Sequence, residues 1–409
     1  MNPSFEPGDR VRCTFGKKPR EGTYITDRND RVVVKLDNGY NIGVDPQFCS
    51  FLSHQEPLPP RTVRKDHHGD LPHLSIVSTG GTIASRVDYR TGAVTSQFDA
   101  DDIMRAIPRL GSIARFRANQ LYTILSENMT PRIWQELSRA VYHEICNGAT
   151  GVMVTHGTDT MSFSASAVSF MVDTPVPVVF VGSQRSADRP SSDNTMNALC
   201  SASAAVSDLG EVAVVMHAST SDDRCAIHRA TRVRKMHSSR RDAFASIGIP
   251  PIGEVDYPSL KVRLEGDAKR RRGCEPILAD RLEERCGLLT FSPGLSPEIL
   301  AAYEGYRGLV LSGTGLGHVS TSWIGPLASL VEGGTTVVMT TQCLHGRVCD
   351  RVYDTGRDLM RIGVIEGEDM LPETALVKLM WVLGNEDDQE KVAGLMRSDI
   401  RGEYTRRSR

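Results

Sequence analysis

The sequence carries almost no net charge: 48 lysines and arginines stand against 50 aspartates and glutamates, a formal balance of −2. A generally basic surface of the kind that grips a nucleic-acid backbone is therefore excluded, although a local patch is not. No uninterrupted apolar run approaches the roughly 20 residues that span a bilayer. Residues 1–12 hold no apolar segment of the secretory kind. The nine cysteines include no Cys-x-x-Cys pair and no histidines at ligand spacing, so they read as reduced thiols of a cytosolic protein. Cys343 and Cys349 are the closest pair, and nothing beside them points to a metal. A Gly-x-x-x-x-Gly-Lys-Ser/Thr phosphate loop is missing, as is any solenoid repeat. Gly313-Thr-Gly-Leu-Gly317 follows a strand but lacks the full dinucleotide fingerprint, and reads as a tight strand–helix turn.

A chain of 409 residues exceeds one ordinary core and suggests two or three domains. Residues 1–55 alternate in a β manner, as in Arg31-Val-Val-Val-Lys-Leu36. The turn pairs Asn29-Asp30 and Asn38-Gly39 separate the runs, so about five short strands should form a small, SH3-like β-barrel. Residues 56–72 are rich in proline and charge and read as a linker, with His67 and His68 as solvated linker residues. From 73 to 268 strand-like runs (His73–Thr79, Gly151–Thr155, Val176–Val181, Val212–His217) alternate with helical ones (Arg132–Asn147, Ser162–Val172, Asn194–Leu209). This is the pattern of a doubly wound α/β domain. Ser192 and Asp193 are plausible N-caps for the third helix. Residues 269–285, opening with Lys269-Arg-Arg-Arg-Gly273, read as a connection. A smaller α/β domain follows over 286–385, with strands at Gly287–Phe291, Gly308–Ser312 and Thr335–Thr340 and helices from Pro297 and Ser322. The polar remainder, 386–409, should be a helix and a frayed tail.

Chemistry concentrates where two strands of the larger domain stop. One runs into Thr79-Gly-Gly-Thr-Ile-Ala-Ser85, the other into Thr155-His-Gly-Thr-Asp-Thr-Met161. In open parallel sheets ligands bind beyond such carboxyl ends. Gly80-Gly81 permits a sharp turn that leaves amide N–H groups open to an oxyanion. Thr82 and Thr158 are then candidate hydroxyl nucleophiles, although a threonine after two glycines is more often a helix cap. Three threonines and a carboxylate would be a wasteful cap in the second motif, and the following helix adds a positive N-terminus. A threonine hydroxyl needs a base. A lysine kept neutral by desolvation or neighbouring cations, and held by Asp159, would serve, and Lys235 or a neighbour in Arg232-Val-Arg-Lys-Met-His-Ser-Ser-Arg-Arg-Asp242 is the candidate. A solvated basic loop is the plainer reading of that stretch. Leu125-Ser-Glu-Asn-Met-Thr-Pro131 places Ser126 and Glu127 before a helix, where they could hold the charged ends of an amino acid. Thr130 reads as that helix's cap.

Taken together, Thr79–Ser85, Thr155–Met161, Val181-Gly-Ser-Gln-Arg185 and Lys235-Met-His-Ser-Ser-Arg-Arg-Asp-Ala-Phe244 resemble the bacterial-type L-asparaginase/glutaminase family over residues 73–385. The resemblance implies a two-domain asparaginase-type fold with Thr82 as primary nucleophile. It implies Thr158, Asp159 and Lys235 as a second hydroxyl–carboxylate–amine relay, and Ser126 with the residue after it as the substrate grip. Backbone amides near Gly81 or Thr158 would hold the oxyanion, and Tyr89 is the only tyrosine near enough to be the family's lid tyrosine, at a different spacing. Free asparaginases commonly carry Gln or a small polar residue where this chain has Glu127. A carboxylate there could pair with the substrate's α-ammonium.

The barrel is a second departure from free asparaginases. The barrel, which includes Lys35-Leu-Asp-Asn-Gly-Tyr-Asn-Ile-Gly-Val44, combined with the run from Thr79 to Val94 resembles the GatD family, glutaminase subunits of archaeal Glu-tRNA(Gln) amidotransferase. That resemblance implies a cytoplasmic subunit with no cofactor or metal of its own and no membrane contact. Its donor would be glutamine or asparagine. A GatE-type partner would use ATP and Mg²⁺ and bind most of the Glu-tRNA(Gln), and a homodimer would sit within a heterotetramer. The competing readings are a free-standing cytosolic L-asparaginase/glutaminase and a non-catalytic binding module. The intact set of Thr82, Thr158, Asp159 and Lys235 argues against the latter.

Overall fold

The computed structural model describes residues 5–6, 8–15, 18–28, 31–36, 41–54, 71–80, 107–186 and 191–407, with the backbone of 86–87 and 94–95. The turn pairs Asn29-Asp30 and Asn38-Gly39, most of the linker with His67 and His68, and the segment carrying Gly81, Thr82 and Tyr89 lie outside the described residues.

Five strands near the N-terminus, β1 (Arg10–Phe15), β2 (Lys18–Arg28), β3 (Arg31–Leu36), β4 (Asn41–Val44) and β5 (Cys49–Ser53), form an antiparallel sheet in the order β4-β3-β2-β1-β5. Alternation makes it work: Val32, Val34 and Leu36 point inward onto Val11, Cys13 and Val44, while Arg31 points out. Across β1 and β5, Cys13 and Cys49 face each other as free thiols.

The larger α/β domain is built on an eight-stranded sheet. Its strands are β6 (His73–Ser78), β7 (Arg115–Gln120), β8 (Gly151–Thr155), β9 (Val178–Val181), β10 (Val212–His217), β11 (Arg224–Arg229), β12 (Gly253–Asp256) and β13 (Val262–Leu264). Strands β7-β6-β8-β9-β10 are parallel neighbours in that order, and β11, β12 and β13 continue antiparallel from β10. The winding reverses between β6 and β8, which opens a crevice outside their carboxyl ends. Strand residues alternate between two buried faces. Val77, Val152, Val154, Phe180 and Val214 pack on α1 (Pro131–Cys146) and α2 (Met161–Met171), whereas Ile76, Met153, Val179 and Val215 pack beneath α3 (Asn194–Val206). The doubly wound pattern read from the sequence therefore holds for the parallel strands. β7 and β11–β13 were not legible: Arg-Phe-Arg-Ala-Asn-Gln and Arg-Cys-Ala-Ile-His-Arg carry too much charge to resemble strands. In β11 the charge is neutralised internally, because buried Arg229 pairs with buried Glu211 at 2.8 Å.

In the smaller domain four parallel strands, β14 (Cys286–Thr290), β15 (Gly308–Gly313), β16 (Thr336–Thr341) and β17 (Ile365–Glu366), lie in sequential order. Helices α4 (Ile324–Glu332), α5 (Asp354–Arg361), α6 (Pro372–Asn385) and α7 (Gln389–Met396) surround them. Leu309, Leu311 and Met339 face Trp323 and α4, and Val310 and Val338 face α6 and α7. The segment from Pro297 is a 3-10 helix ending at Tyr303. As expected, 313–317 is a tight turn, closed by Thr314 N donating to His318 O at 2.9 Å.

Helix α2 is buried along almost its whole length because its second side receives α6, with Ala167, Phe170 and Met171 against Val377 and Met380. A helix apolar all round is the signature of such a position. The basic connection is committed to the fold: Arg271 donates to the carbonyls of Thr150, Ala205 and Ser207, and Arg272 to Asp173 and the carbonyl of Thr174. The tail differs from the frayed end expected of so polar a sequence. Lys378 of α6 and Glu403, both fully buried, pair at 2.6 Å, and Arg401 Nε donates to Ser169 O in α2 at 2.7 Å. Polar residues here bury by pairing with one another, which composition does not reveal.

Candidate active site

The ends of β6 and β8 are stitched together beside the crevice. Thr79 N and Oγ1 both lie 3.1 Å from Thr155 O, and Thr155 Oγ1 donates to Ser78 Oγ at 2.9 Å. Gly80 then turns with φ +109°, and a Cβ there would lie 2.7 Å from Ile124 O, so no other residue fits. The loop after β7 crosses both ends. A Cβ on Gly157 would meet Ser126 Cβ at 2.7 Å, which brings the Ser126 turn onto the Thr155–Thr160 turn only because position 157 has no side chain. Thr160, at the N-cap of α2, makes no capping bond and donates instead to Ser126 O at 2.7 Å. The threonine-rich motif thus ties loops together as well as opening a helix. Thr130 caps α1, accepting from Ile133 N at 3.4 Å.

Lys235 ends the short strand Val233–Lys235, paired with Phe244–Ser246. Its Nζ lies 2.9 Å from Thr158 Oγ1 and 2.7 Å from Asp159 Oδ1. The amine is largely covered, at 12% exposure, while Asp159 is 68% exposed at the mouth. Residues singled out from two separate motifs, with Lys235 76 positions from Asp159, therefore meet within hydrogen-bond distance. The crowd of cations expected around Lys235 is dispersed by pairing: Arg234 goes to Glu373 at 3.4 Å, Arg240 to Asp242 at 2.5 Å and Arg241 to Asp222 at 2.5 Å. The immediate neighbour of the amine is a carboxylate. Ser126 is buried and Glu127 exposed on the one-turn helix Ser126–Asn128. Thr82, Gly81 and Tyr89 lie outside the described residues.

His156, in the same motif, is fully buried and donates through Nδ1 to Gly157 O at 2.6 Å, and burial pulls its pKa down to about 4. It is neutral and shapes the turn. Asp193 departs from its expected role as an N-cap. Ser192 accepts from Asn194 N at 3.2 Å, while the Asp193 carboxylate turns onto the loop after β9 and accepts from Ser183 Oγ, Gln184 N, Arg185 N and Asn197 Nδ2. The chain of contacts continues from Asn197 Oδ1 to His217 Nδ1 at 2.6 Å, then from His217 Nε2 to Asp222 at 3.3 Å and on to Arg241. Burial lowers the His217 pKa, with Asp222 opposing. Sequence reading missed this string, buried from Asp193 to His217 and reaching the surface at Asp222, which anchors the far end of the Lys235 loop. Its only signal was Asp193 and Asn197 at a one-turn spacing. Among the described residues, no three His, Cys, Asp or Glu side chains are grouped to hold a metal ion. No described helix is long and apolar enough to cross a membrane.

Three family models match in series. Residues 5–49 match the GatD N-terminal domain, 73–268 the N-terminal asparaginase domain, and 285–396 the glutaminase/asparaginase C-terminal domain. The GatD subunit of the glutamyl-tRNA(Gln) amidotransferase of Halobacterium salinarum is 53% identical over 99% of this chain and 98% of its own length. The chain belongs to the GatD family of glutamyl-tRNA(Gln) amidotransferase subunits. The Archaeoglobus fulgidus member is 54% identical over 97% of this chain and 94% of its own length. Among solved structures, the thermostable L-asparaginase of Thermococcus kodakarensis aligns with a TM-score of 0.73 and 33% identity, over 81% of this chain and 99% of that one. The GatD family accounts for the barrel, and the asparaginase fold for the remainder. The chain is an amidohydrolase of asparaginase type.

Proposed function

We propose that this chain releases ammonia from the side-chain amide of glutamine or asparagine, with Thr82 as nucleophile, and passes it to a partner subunit that amidates Glu-tRNA(Gln). The observation that carries the reading is the contact of Lys235 Nζ with both Thr158 Oγ1 and Asp159 Oδ1. A hydroxyl becomes a useful nucleophile or proton carrier only beside a base. As Thr82 attacks, its hydroxyl proton passes to Thr158 Oγ1, the Thr158 proton passes to the neutral Lys235 amine, and Asp159 holds the resulting ammonium. Thr82, two residues beyond Gly80, attacks the amide carbon, and backbone amides near Gly81 or Thr158 stabilise the oxyanion. One such donor is typically worth about 3 kcal/mol in the barrier. Ammonia departs with a proton delivered by the relay, and water then cleaves the acyl-threonine ester to give the free acid. Ser126 and Glu127, on the turn beside Gly157, grip the charged ends of the amino acid, and Tyr89 is the candidate lid tyrosine.

The relatives are named as one subunit of an amidotransferase. A GatE-type partner holding ATP and Mg²⁺ and most of the tRNA, a homodimer of this chain within a heterotetramer, and a cytoplasmic location complete the reading. Domain limits of 1–55, 73–268 and 286–385 belong to the same proposal. Co-purification from native cells tests it. Recovery of a large subunit, with ammonium-dependent amidation that survives Thr158→Ala while glutamine-dependent amidation is lost, is the expected result. A homodimer alone with robust, unassisted amide hydrolysis would move the assignment to a free-standing asparaginase/glutaminase.

A further inference from the structure

The strand that presents Lys235 is seated on the smaller domain and on the C-terminal segment. Arg232, fully buried three residues before Lys235, donates through one terminal nitrogen to Asp369 O at 2.9 Å and to Glu403 O at 2.8 Å, and through the other to Asp369 Oδ2 at 2.9 Å. Its own carbonyl accepts from Ile247 N at 2.8 Å. Gly248, at φ +75°, makes room for the guanidinium: a Cβ there would lie 2.1 Å from it. The neighbours repeat the arrangement. Thr231 donates to Arg401 O at 3.1 Å and accepts at its carbonyl from Thr374 at 3.1 Å, and Arg234 pairs with Glu373 at 3.4 Å. The acceptors are themselves fixed: Thr405 binds Asp369 through its N–H at 2.8 Å and its hydroxyl at 2.7 Å, and Glu403 pairs with buried Lys378. Nothing in the chemistry of amide hydrolysis needs these groups, yet residues 231, 232 and 234 each contact the smaller domain or the tail.

We infer that Arg232 is a positioning residue. Through it, Asp369 and the segment Asp399–Thr405 set the place of the Lys235 amine against Thr158 and Asp159. The inference rests on the proposed role of Lys235 for its effect on catalysis, but not for its geometry. A planar fork serving two carbonyls and a carboxylate fixes the backbone in a way that one ammonium cannot. A shift of about 1 Å at a reacting group can cost on the order of 100-fold in rate.

The test compares wild type, Arg232→Lys and the milder Asp369→Asn in the full-length protein as it co-purifies from cells, by steady-state glutamine hydrolysis and by crystal structures of both variants. Expected is a fall in kcat of about 100-fold for Arg232→Lys, and less for Asp369→Asn, with KM within about twofold. In the structures Lys235 Nζ should leave hydrogen-bonding distance of Thr158 Oγ1. A folded variant that keeps both the Lys235–Thr158 contact and wild-type kcat overturns the inference, as does a kcat loss with that contact intact. Should Arg232→Lys fail to fold, Asp369→Asn decides by the same criteria. Loss of the contact with kcat unchanged leaves Arg232 as the positioning group and removes Lys235 from the mechanism instead.

Discussion

His228 offers a quantitative check on the interior of the larger domain. It lies on β11, fully buried, with Nδ1 2.8 Å from Ser246 Oγ, and burial pulls its pKa from 6.5 to about 4. The native state therefore keeps this ring neutral in a range where the unfolded chain protonates it. A group with a depressed native pKa of this kind contributes stability that is present above the unfolded value and lost as pH falls. Between about pH 7.5 and pH 5 the unfolded form gains nearly one proton and the native form almost none, a loss of about 2 kcal/mol at 1.36 kcal/mol per unit. Asp350 works in the opposite direction: burial, with Glu366 beside it, raises its carboxyl to about 7, so its contribution is lost as pH rises. The whole-protein curve mixes the two, and a variant isolates the histidine. His228→Asn keeps a polar atom near Nδ1. Its stability relative to wild type, from urea unfolding followed by circular dichroism, should improve by about 2 kcal/mol as pH falls from about 7.5 to 5. Identical pH dependence in the two proteins, or an NMR titration placing native His228 near its ordinary value, would refute the reasoning.

Gly157→Ala should lower kcat/KM by about tenfold or more, since the new Cβ meets Ser126 Cβ at 2.7 Å and pushes two site loops apart; unchanged kinetics would show that the loops yield freely. Lys378→Met should destabilise by about 3–5 kcal/mol, because it strands the fully buried Glu403 carboxylate. Adding Glu403→Gln should return much of that loss in thermal unfolding, and a double variant no more stable than the single would mean that the charge was not the cause.

Of the two threonine motifs, the second could be followed into the fold, where Thr158 and Asp159 meet Lys235; it stood out because glycine and hydroxyl residues after apolar runs have few structural uses. The parallel strands were legible because they are buried on both faces and read as continuous apolar runs. The polar interior was not. Lys378 and Glu403, Arg232 and Asp369, and Glu211 and Arg229 each join residues far apart in sequence, and every member alone resembles a surface charge. The tail looked unstructured for that reason. Asp193 departs from its expected role for a related reason: a carboxylate before a helix has a local use as a cap, and only the fold brings the Ser183–Arg185 loop close enough to compete for it.

In the proposed mechanism Thr82 attacks while Thr158, Asp159 and Lys235 move its protons. The most direct measurement is a peptide map by mass spectrometry after inactivation with a diazoketone analogue of glutamine, which loses dinitrogen and alkylates the attacking hydroxyl. That mechanism gives one adduct per chain, on Thr82, formed far more slowly in Lys235→Met. An adduct on Thr158, or labelling of Thr82 at an undiminished rate without Lys235, would contradict it.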